Sequence, residues 1–108
     1  MSAATGRQRS AIVFGARNLG RAVIEALVAE GWAAAGVARS QATLDGVTEA
    51  GGLALQADVT DPASVYAALT EVAAAHGGVD LALNAASAYG GDRSGFDSWA
   101  AAPARAAF

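Results

Sequence analysis

The chain of 108 residues has no cysteine, no lysine and only two prolines. Without cysteine it cannot form a disulfide scaffold, a thiolate metal site or a cysteine nucleophile. All seven basic residues are arginines spread along the chain and the net charge is −3, so there is no basic stripe to neutralise nucleic-acid phosphates. No uncharged apolar run approaches the roughly 18 residues of a membrane span. We therefore expect a cytoplasmic protein that binds neither nucleic acid nor a membrane.

Aromatic residues are also scarce, at 6%, whereas 54% of the chain is hydrophobic. The core is therefore built mainly from alanine, valine and leucine, whose small side chains suit the close packing of helices on a parallel sheet. The length corresponds to about one small domain. We expect a flexible polar leader over residues 1–9 and a single domain over residues 10–108.

Strand and helix signals alternate along the chain. Continuous apolar runs predict strands at residues 10–14, 32–38, 53–57 and 79–83. Helices are predicted over about residues 18–30, after the cap Ser40, from Asp61 and Pro62 to Gly77, and over about residues 96–105. This order, with connections of the length typical of crossover units, predicts an α/β fold, a Rossmann-like doubly wound parallel sheet with about four strands present.

The spacing of apolar residues predicts which face of each helix is buried. In the first helix this face comprises Leu19, Ala22, Val23, Ala26, Leu27 and Ala29. The short second helix carries Leu44 and Val47, and the third carries Val65, Ala68, Leu69, Val72 and Ala75. His76, near the end of the third helix, is expected to be solvated.

A glycine-bearing turn joins the first strand to the first helix and reads GARNLG over residues 15–20. Gly15 permits a sharp turn, and Gly20 lets the helix pack closely on the strand. The free amides of the first helical turn then favour a pyrophosphate. The span matches the G-x-G-x-x-G fingerprint, with Arg17 in place of the middle glycine. The alternative is a tight turn that binds no ligand.

From residue 10 to about Trp99 the chain resembles the short-chain dehydrogenase/reductase family. The first loop of that family reads T-G-x-x-x-G-x-G, and this chain is one residue shorter there, with Asn18 at the position of the middle glycine. Asparagine tolerates a left-handed backbone better than most residues, so the turn can still form. The resemblance implies that the loop contacts a dinucleotide cofactor through Gly15, Arg17, Asn18, Leu19 and Gly20.

The end of the second strand resembles family members that use NADP rather than NAD. Arg39 stands where NAD-binding members have an acid, and Ser40 follows it. An arginine at this position pairs with the 2′-phosphate of NADP. Arg17 resembles a second phosphate-facing arginine of such members. The alternative for each arginine is a solvated surface side chain.

Two later segments extend the resemblance. Asp58 and Val59 resemble the adenine-side motif, in which the aspartate accepts a hydrogen bond from the adenine amino group and the backbone of the next residue contacts the ring. Otherwise Asp58 is a turn or cap residue before the third helix. Asn84, Ala85 and Ala86 resemble the segment after the fourth strand, where the asparagine braces the central strands and the cofactor ribose. Otherwise Asn84 satisfies backbone groups at the strand end.

The resemblance implies an oxidoreductase that transfers hydride between NADPH and a small carbonyl or alcohol substrate, and that forms a homo-oligomer. The family's chemistry uses a serine, a tyrosine and a lysine four residues after the tyrosine, and this chain has no lysine. Tyr89 and Arg93 have that spacing, but the glycine-rich segment between them is a poor helical scaffold. We therefore predict no catalytic residue and no metal site.

The chain is thus expected to be the NADP-binding portion of such an enzyme and to be inactive alone. A different reading is a non-catalytic nucleotide-sensing or protein-interaction module with the same fold.

Overall fold

The computed structural model describes residues 7–86, which form one four-stranded sheet and three helices. The elements follow one another as β1 (Ser10–Phe14), α1 (Leu19–Ala29), β2 (Ala33–Ala38), α2 (Gln41–Glu49), β3 (Leu53–Gln56), α3 (Pro62–His76) and β4 (Leu81–Asn84). Neighbouring strands are parallel, in the order β3-β2-β1-β4. The predicted Rossmann-like parallel sheet is therefore confirmed. Tyr89, Arg93 and the helix predicted at about residues 96–105 lie outside the described residues.

β1 lies inside the sheet, between β2 and β4, and all five of its residues are buried. Ile12 and Phe14 belong to the core on the α3 side of the sheet, and Val13 belongs to the core beside α1 and α2. Helices therefore cover both faces of this strand, which accounts for the uninterrupted apolar run in the sequence. Within residues 7–86, no helix has both the length and the apolar character needed to cross a membrane.

The predicted apolar face of α1 is wrong in part. Val23 and Leu27 are half-buried, whereas Leu19, Ala22, Ala26 and Ala29 are exposed. The buried residues of α1 are Gly20 and Ile24. A side chain at Gly20 would overlap the carbonyl oxygen of Gly15, so α1 turns this glycine towards β1, and Ile24, one turn later, follows it into the core. Alanine is small enough for either face, so the alanines do not indicate how the helix is oriented.

α2 and α3 begin at the predicted caps. The Ser40 hydroxyl accepts a hydrogen bond from the Thr43 N–H at 3.4 Å, and the Asp61 carboxylate accepts one from the Ala63 N–H at 3.1 Å. α3 ends at Gly77, whose φ of 82° is left-handed and favours glycine. The predicted buried residues are confirmed at Leu44, Val47, Val65, Ala68, Leu69 and Val72. The prediction is wrong at Ala75, which is exposed, because the helix turns Ala73 towards the core instead.

An ion pair joins the residues before β1 to the residue before β4. Two nitrogens of the Arg7 guanidinium donate to the two carboxylate oxygens of Asp80, each at 2.8 Å. Asp80 also accepts a hydrogen bond from the Ser10 N–H at 2.8 Å. The hydrogen bond from Arg7 is the main reason that the pKa of Asp80 is lowered.

The last residues of the expected flexible leader, 7–9, make side-chain contacts with the sheet edge. Besides Arg7, the Gln8 side chain donates to the Gly31 carbonyl at 2.7 Å. The Arg9 guanidinium lies over the Trp32 ring, 5.8 Å from its centroid. These polar side chains are held because the amino ends of β1 and β2 offer them partners. Residues 1–6 lie outside the described residues.

The expectation of a solvated His76 is also wrong, because this residue is half-buried and its Nδ1 shares a hydrogen bond of 2.8 Å with the hydroxyl of Ser10. Ser10 is itself fully buried. Burial lowers the pKa of His76, since the charged imidazolium loses hydration there. The amino edge of the sheet therefore contains a second polar contact beside the Arg7–Asp80 pair.

Candidate functional site

A cavity of about 550 Å³ opens at the carboxyl ends of the strands. The chain passes from β1 to β2 and β3 on one side of β1, and then returns to place β4 on the other side. Open α/β sheets bind ligands at such a switch point. The cavity is lined by Gly15, Ala16, Arg17, Asn18, Leu19, Val37, Ala38, Arg39, Ser40, Thr43, Ala57, Val59, Thr60, Ala85 and Ala86.

Most of the residues that the sequence nominates for cofactor binding line this cavity. They are Gly15, Arg17, Asn18, Leu19, Arg39, Ser40, Val59, Ala85 and Ala86. The other nominated residues do not line it. Gly20 is buried against the backbone of Gly15, while Asp58 and Asn84 stand next to lining residues. The structure thus brings the predicted set together at one edge of the sheet, and its role in cofactor binding remains a prediction.

Gly15 makes the sharp turn that the sequence predicts, with a φ of 80°. Its N–H donates to the Val37 carbonyl at 2.9 Å, which joins the loop to the end of β2. A Cβ at Gly15 would lie 2.5 Å from the Ala86 nitrogen. A larger residue at Gly15 would therefore collide with the segment after β4. The glycine serves two purposes, a left-handed turn and a close approach between two loops of the site.

Asn18 replaces the middle glycine of the family loop and keeps a glycine-like backbone. The Gly20 N–H donates to the Arg17 carbonyl at 3.1 Å, which closes a four-residue turn. Asn18 is the second residue of this turn, with φ 51° and ψ −107°, close to the values of a type II′ turn. Among residues 7–86 it is the only residue other than glycine with a positive φ. The shortened loop thus forms a turn in which Asn18 holds a positive φ.

The amino terminus of α1 faces the cavity without a side-chain cap. Asn18 occupies the cap position but makes no capping hydrogen bond, and the first turn of α1 contains no acidic residue. α2 and α3, by contrast, are capped by Ser40 and Asp61. The first N–H groups of a helix have no intrahelical acceptor and carry the positive end of its dipole. Together with the exposed Arg17, which pairs with no acid among residues 7–86, they can receive an anion.

Arg39 and Asp58, which the sequence nominates separately, meet at the mouth of the cavity. The Arg39 Nη1 lies 3.7 Å from the Asp58 Oδ1, and 72% of the Arg39 side chain is exposed. The same carboxylate oxygen accepts hydrogen bonds from the Thr60 N–H at 2.9 Å and the Thr60 hydroxyl at 2.6 Å. These bonds from Thr60, with a smaller contribution from Arg39, lower the pKa of Asp58. The carboxylate is therefore ionised and fixed in position at neutral pH.

Asn84 closes a small turn after β4. Its side-chain oxygen accepts a hydrogen bond from the Ala86 N–H at 3.0 Å, while the Ala85 N–H donates to the Phe14 carbonyl at 2.7 Å. This is the contact expected if Asn84 satisfies backbone groups at the strand end. It also gives the segment the shape that passes beside Gly15, so the asparagine positions one wall of the cavity.

Sequence reasoning missed several lining residues, namely Ala16, Val37, Ala38, Thr43, Ala57 and Thr60. The alanines and the valine form apolar parts of the wall and carry no chemical signal. Thr43 has one available signal, because it lies in the first turn of a helix capped by Ser40. An apolar wall with a few polar groups at the mouth suits a nucleotide. Within residues 7–86, no three histidine or acidic side chains are grouped so that they could hold a metal ion.

Comparison with known proteins places these features in one family. The model of the short chain dehydrogenase family matches residues 9–101. The 3-oxoacyl-[acyl-carrier-protein] reductase FabG of Salmonella typhimurium is 40% identical over 78 residues, which cover 68% of this chain and 32% of the relative. The chain therefore spans about a third of the length of the curated relatives it matches.

Solved structures agree with this match. A mutant short-chain dehydrogenase/reductase of Serratia marcescens is 33% identical, with a TM-score of 0.65, over 77% of this chain and 37% of the other. A mutant actinorhodin polyketide ketoreductase, solved with NADPH, is 27% identical, with a TM-score of 0.67, over 73% of this chain and 33% of the other.

Proposed function

Since this chain belongs to the short-chain dehydrogenase family of oxidoreductases, we propose that its cavity binds NADP in preference to NAD. The bound NADPH supplies the hydride that the complete enzyme transfers to a small carbonyl substrate, or receives from an alcohol. We further propose that this enzyme is a cytoplasmic homo-oligomer. The chain itself contains no lysine, so it cannot provide the tyrosine–lysine pair that the resemblance implies, and its own part is to hold the cofactor.

The residues of the cavity suit the parts of such a cofactor. The amino terminus of α1 has no side-chain cap and offers its N–H groups to the pyrophosphate. Gly15 begins the loop that leads into this terminus, and it passes close to Ala86. We assign Asp58 and Val59 to the adenine, since Val59 lines the cavity and Asp58 directly precedes it. The loop after β4 contributes Ala85 and Ala86 to the cavity wall. Asn84 shapes this loop through its bond to the Ala86 N–H, and we assign it to bracing the cofactor ribose.

The position of Arg39 is the observation that supports a preference for NADP. It stands directly after β2 at the mouth of the cavity, with a largely exposed guanidinium. A guanidinium attracts a phosphate monoester and can bind it in a bidentate manner. An acid at this position would instead accept a hydrogen bond from the unmodified ribose of NAD. The neighbouring Ser40 adds a hydroxyl at the same mouth.

The preference is tested by titrating the purified chain with NADPH, NADH and 2′-phospho-ADP. We expect NADPH to bind about 10- to 100-fold more tightly than NADH, the range for hydrogen bonds to a charged group. Arg39→Ala should bring the two affinities close together. Arg9→Ala is the matched control, because Arg9 lies over Trp32 at the opposite edge of the sheet, and it should leave both affinities unchanged. Equal affinities in the wild type, or no binding of any of the three compounds, would contradict the proposal.

A further inference from the structure

The register of β2 and β3 creates the ion pair between Arg39 and Asp58. These strands are parallel neighbours in which Ala38 pairs with Gln56. Arg39 follows β2 directly, and Asp58 lies two residues after β3. Both side chains therefore emerge at the same edge of the sheet, on adjacent strands. The Arg39 guanidinium, which we assign to the 2′-phosphate, therefore already lies beside the Asp58 carboxylate.

Hydrogen bonds fix the Asp58 carboxylate more firmly than the Arg39 guanidinium. Two hydrogen bonds from Thr60 fix the Asp58 carboxylate. The Gln56 side chain donates to the Arg39 carbonyl at 3.0 Å, which fixes the backbone of Arg39 but not its guanidinium. The separation of 3.7 Å exceeds the roughly 2.7–2.9 Å of a charge-assisted hydrogen bond. The contact is therefore a loose ion pair that Arg39 can exchange for another anion.

We propose that Asp58 lowers the preference of the site for a 2′-phosphate by pairing with Arg39. A phosphate monoester carries about −1.5 to −2 charges at neutral pH, and it must compete with a fixed carboxylate for the same guanidinium. NAD has no group that enters this competition. Asp58 thereby makes the site less selective between NADP and NAD than Arg39 alone would make it. This inference rests on the proposed function, since it concerns how strongly the site prefers NADP.

Asp58→Asn tests the inference, because asparagine keeps an oxygen for Thr60 and removes the charge. The quantity measured is the ratio of the Kd for NADH to the Kd for NADPH, from fluorescence titrations. Loss of a contact to the adenine cancels in this ratio, since both compounds carry the same adenine. We expect the ratio to rise about 1.5- to fivefold, the range for an exposed ion pair. Asp58→Ser is a second neutral variant for which the same increase is expected if the asparagine variant does not fold.

Asp45→Asn is the matched control, because it removes an exposed α2 carboxylate that does not line the cavity, and it should leave the ratio unchanged. In the Arg39→Ala background, Asp58→Asn should no longer change the ratio. A change that persists there would show direct repulsion of the phosphate and would overturn the pairing. A wild type that prefers NADPH, combined with an unchanged or lower ratio in Asp58→Asn, overturns this inference alone. A wild-type ratio near one overturns the proposed function as well.

Discussion

Asn18 holds a backbone conformation that glycine adopts more readily. It is the second residue of a turn closed by the Gly20 N–H and the Arg17 carbonyl, with a φ of 51°. We expect Asn18→Gly to change the free energy of unfolding by less than about 1 kcal/mol, because glycine is the usual residue at this turn position. Asn18→Val should lower it by about 1–3 kcal/mol, because a β-branched side chain is strained at positive φ. Urea denaturation measures both.

Leu19→Val is the control for this pair of variants. It introduces the same valine at the next position, which is 69% exposed and does not have a positive φ. It should therefore be nearly neutral. If Asn18→Val proves as stable as the wild type, the turn does not hold the positive φ in solution.

At the level of single residues, local constraints could be predicted and distant contacts could not. The sharp turn at Gly15 and the tolerance of Asn18 for a left-handed backbone follow from the residues themselves. The bond between Ser10 and His76 joins positions 66 residues apart, and it appears only when β1 and α3 are packed together. The pairing of Arg39 with Asp58 likewise depends on the register of two strands, which the sequence pattern does not specify.

The helix caps give a prediction at the level of elements. Asp61 accepts a hydrogen bond from the Ala63 N–H at 3.1 Å, whereas the corresponding bond of Ser40 is longer, at 3.4 Å. We expect Asp61→Ala to lower the free energy of unfolding by about 1 kcal/mol, the typical value for loss of a cap. Ser40→Ala should cost less because its bond is weaker. Thermal and urea unfolding monitored by circular dichroism measure both.

The control for the cap variants is Asp45→Ala, which removes an exposed aspartate from the interior of α2, where its carboxylate accepts a hydrogen bond from the Gln41 side chain. This loss should be no more than about 0.5 kcal/mol. Equal losses for Asp61→Ala and Asp45→Ala would show that the effect comes from the charge and not from the cap.

Elements also differ in how far sequence determines them. The strands begin and end within two residues of their predicted limits, because glycines and helix caps bracket them. The orientation of α1 could not be predicted in the same way. Its alanines are apolar on every side, and the contact that sets the orientation is the backbone of Gly20 against Gly15. Because glycine has no side chain, this contact produces no periodic pattern of apolar residues in the sequence.

At the scale of the whole molecule, the two ends of the sheet carry different features. The carboxyl end holds the cavity, whereas the amino end holds the Arg7–Asp80 pair and the Ser10–His76 contact. The amino end should therefore affect stability more than nucleotide binding. Two groups at this end, His76 and Asp80, have a lowered pKa, His76 through burial and Asp80 mainly through Arg7. Their effect on stability is consequently expected to have the same sign.

For both groups the unfolded chain takes up a proton at a higher pH than the folded chain, so acid favours unfolding. The contribution of His76 is complete above its ordinary pKa of about 6.5 and is lost as the pH falls below that value towards the lower pKa of the folded state. The contribution of Asp80 is lost further down, as the pH falls below about 4.

His76→Gln should therefore flatten the dependence of the free energy of unfolding on pH between about pH 7.5 and about pH 5.5. The slope should change by at most the amount that corresponds to the uptake of one proton on unfolding. His76 is the only histidine of the chain, so no other imidazole contributes in that range. Urea denaturation at a series of pH values measures the slope, and Arg9→Ala serves as the control because it removes a side chain at the same end of the sheet while leaving the histidine in place. A wild-type curve that rises as the pH falls from 7.5 to 5.5 would contradict the lowered pKa and the buried contact with Ser10 behind it.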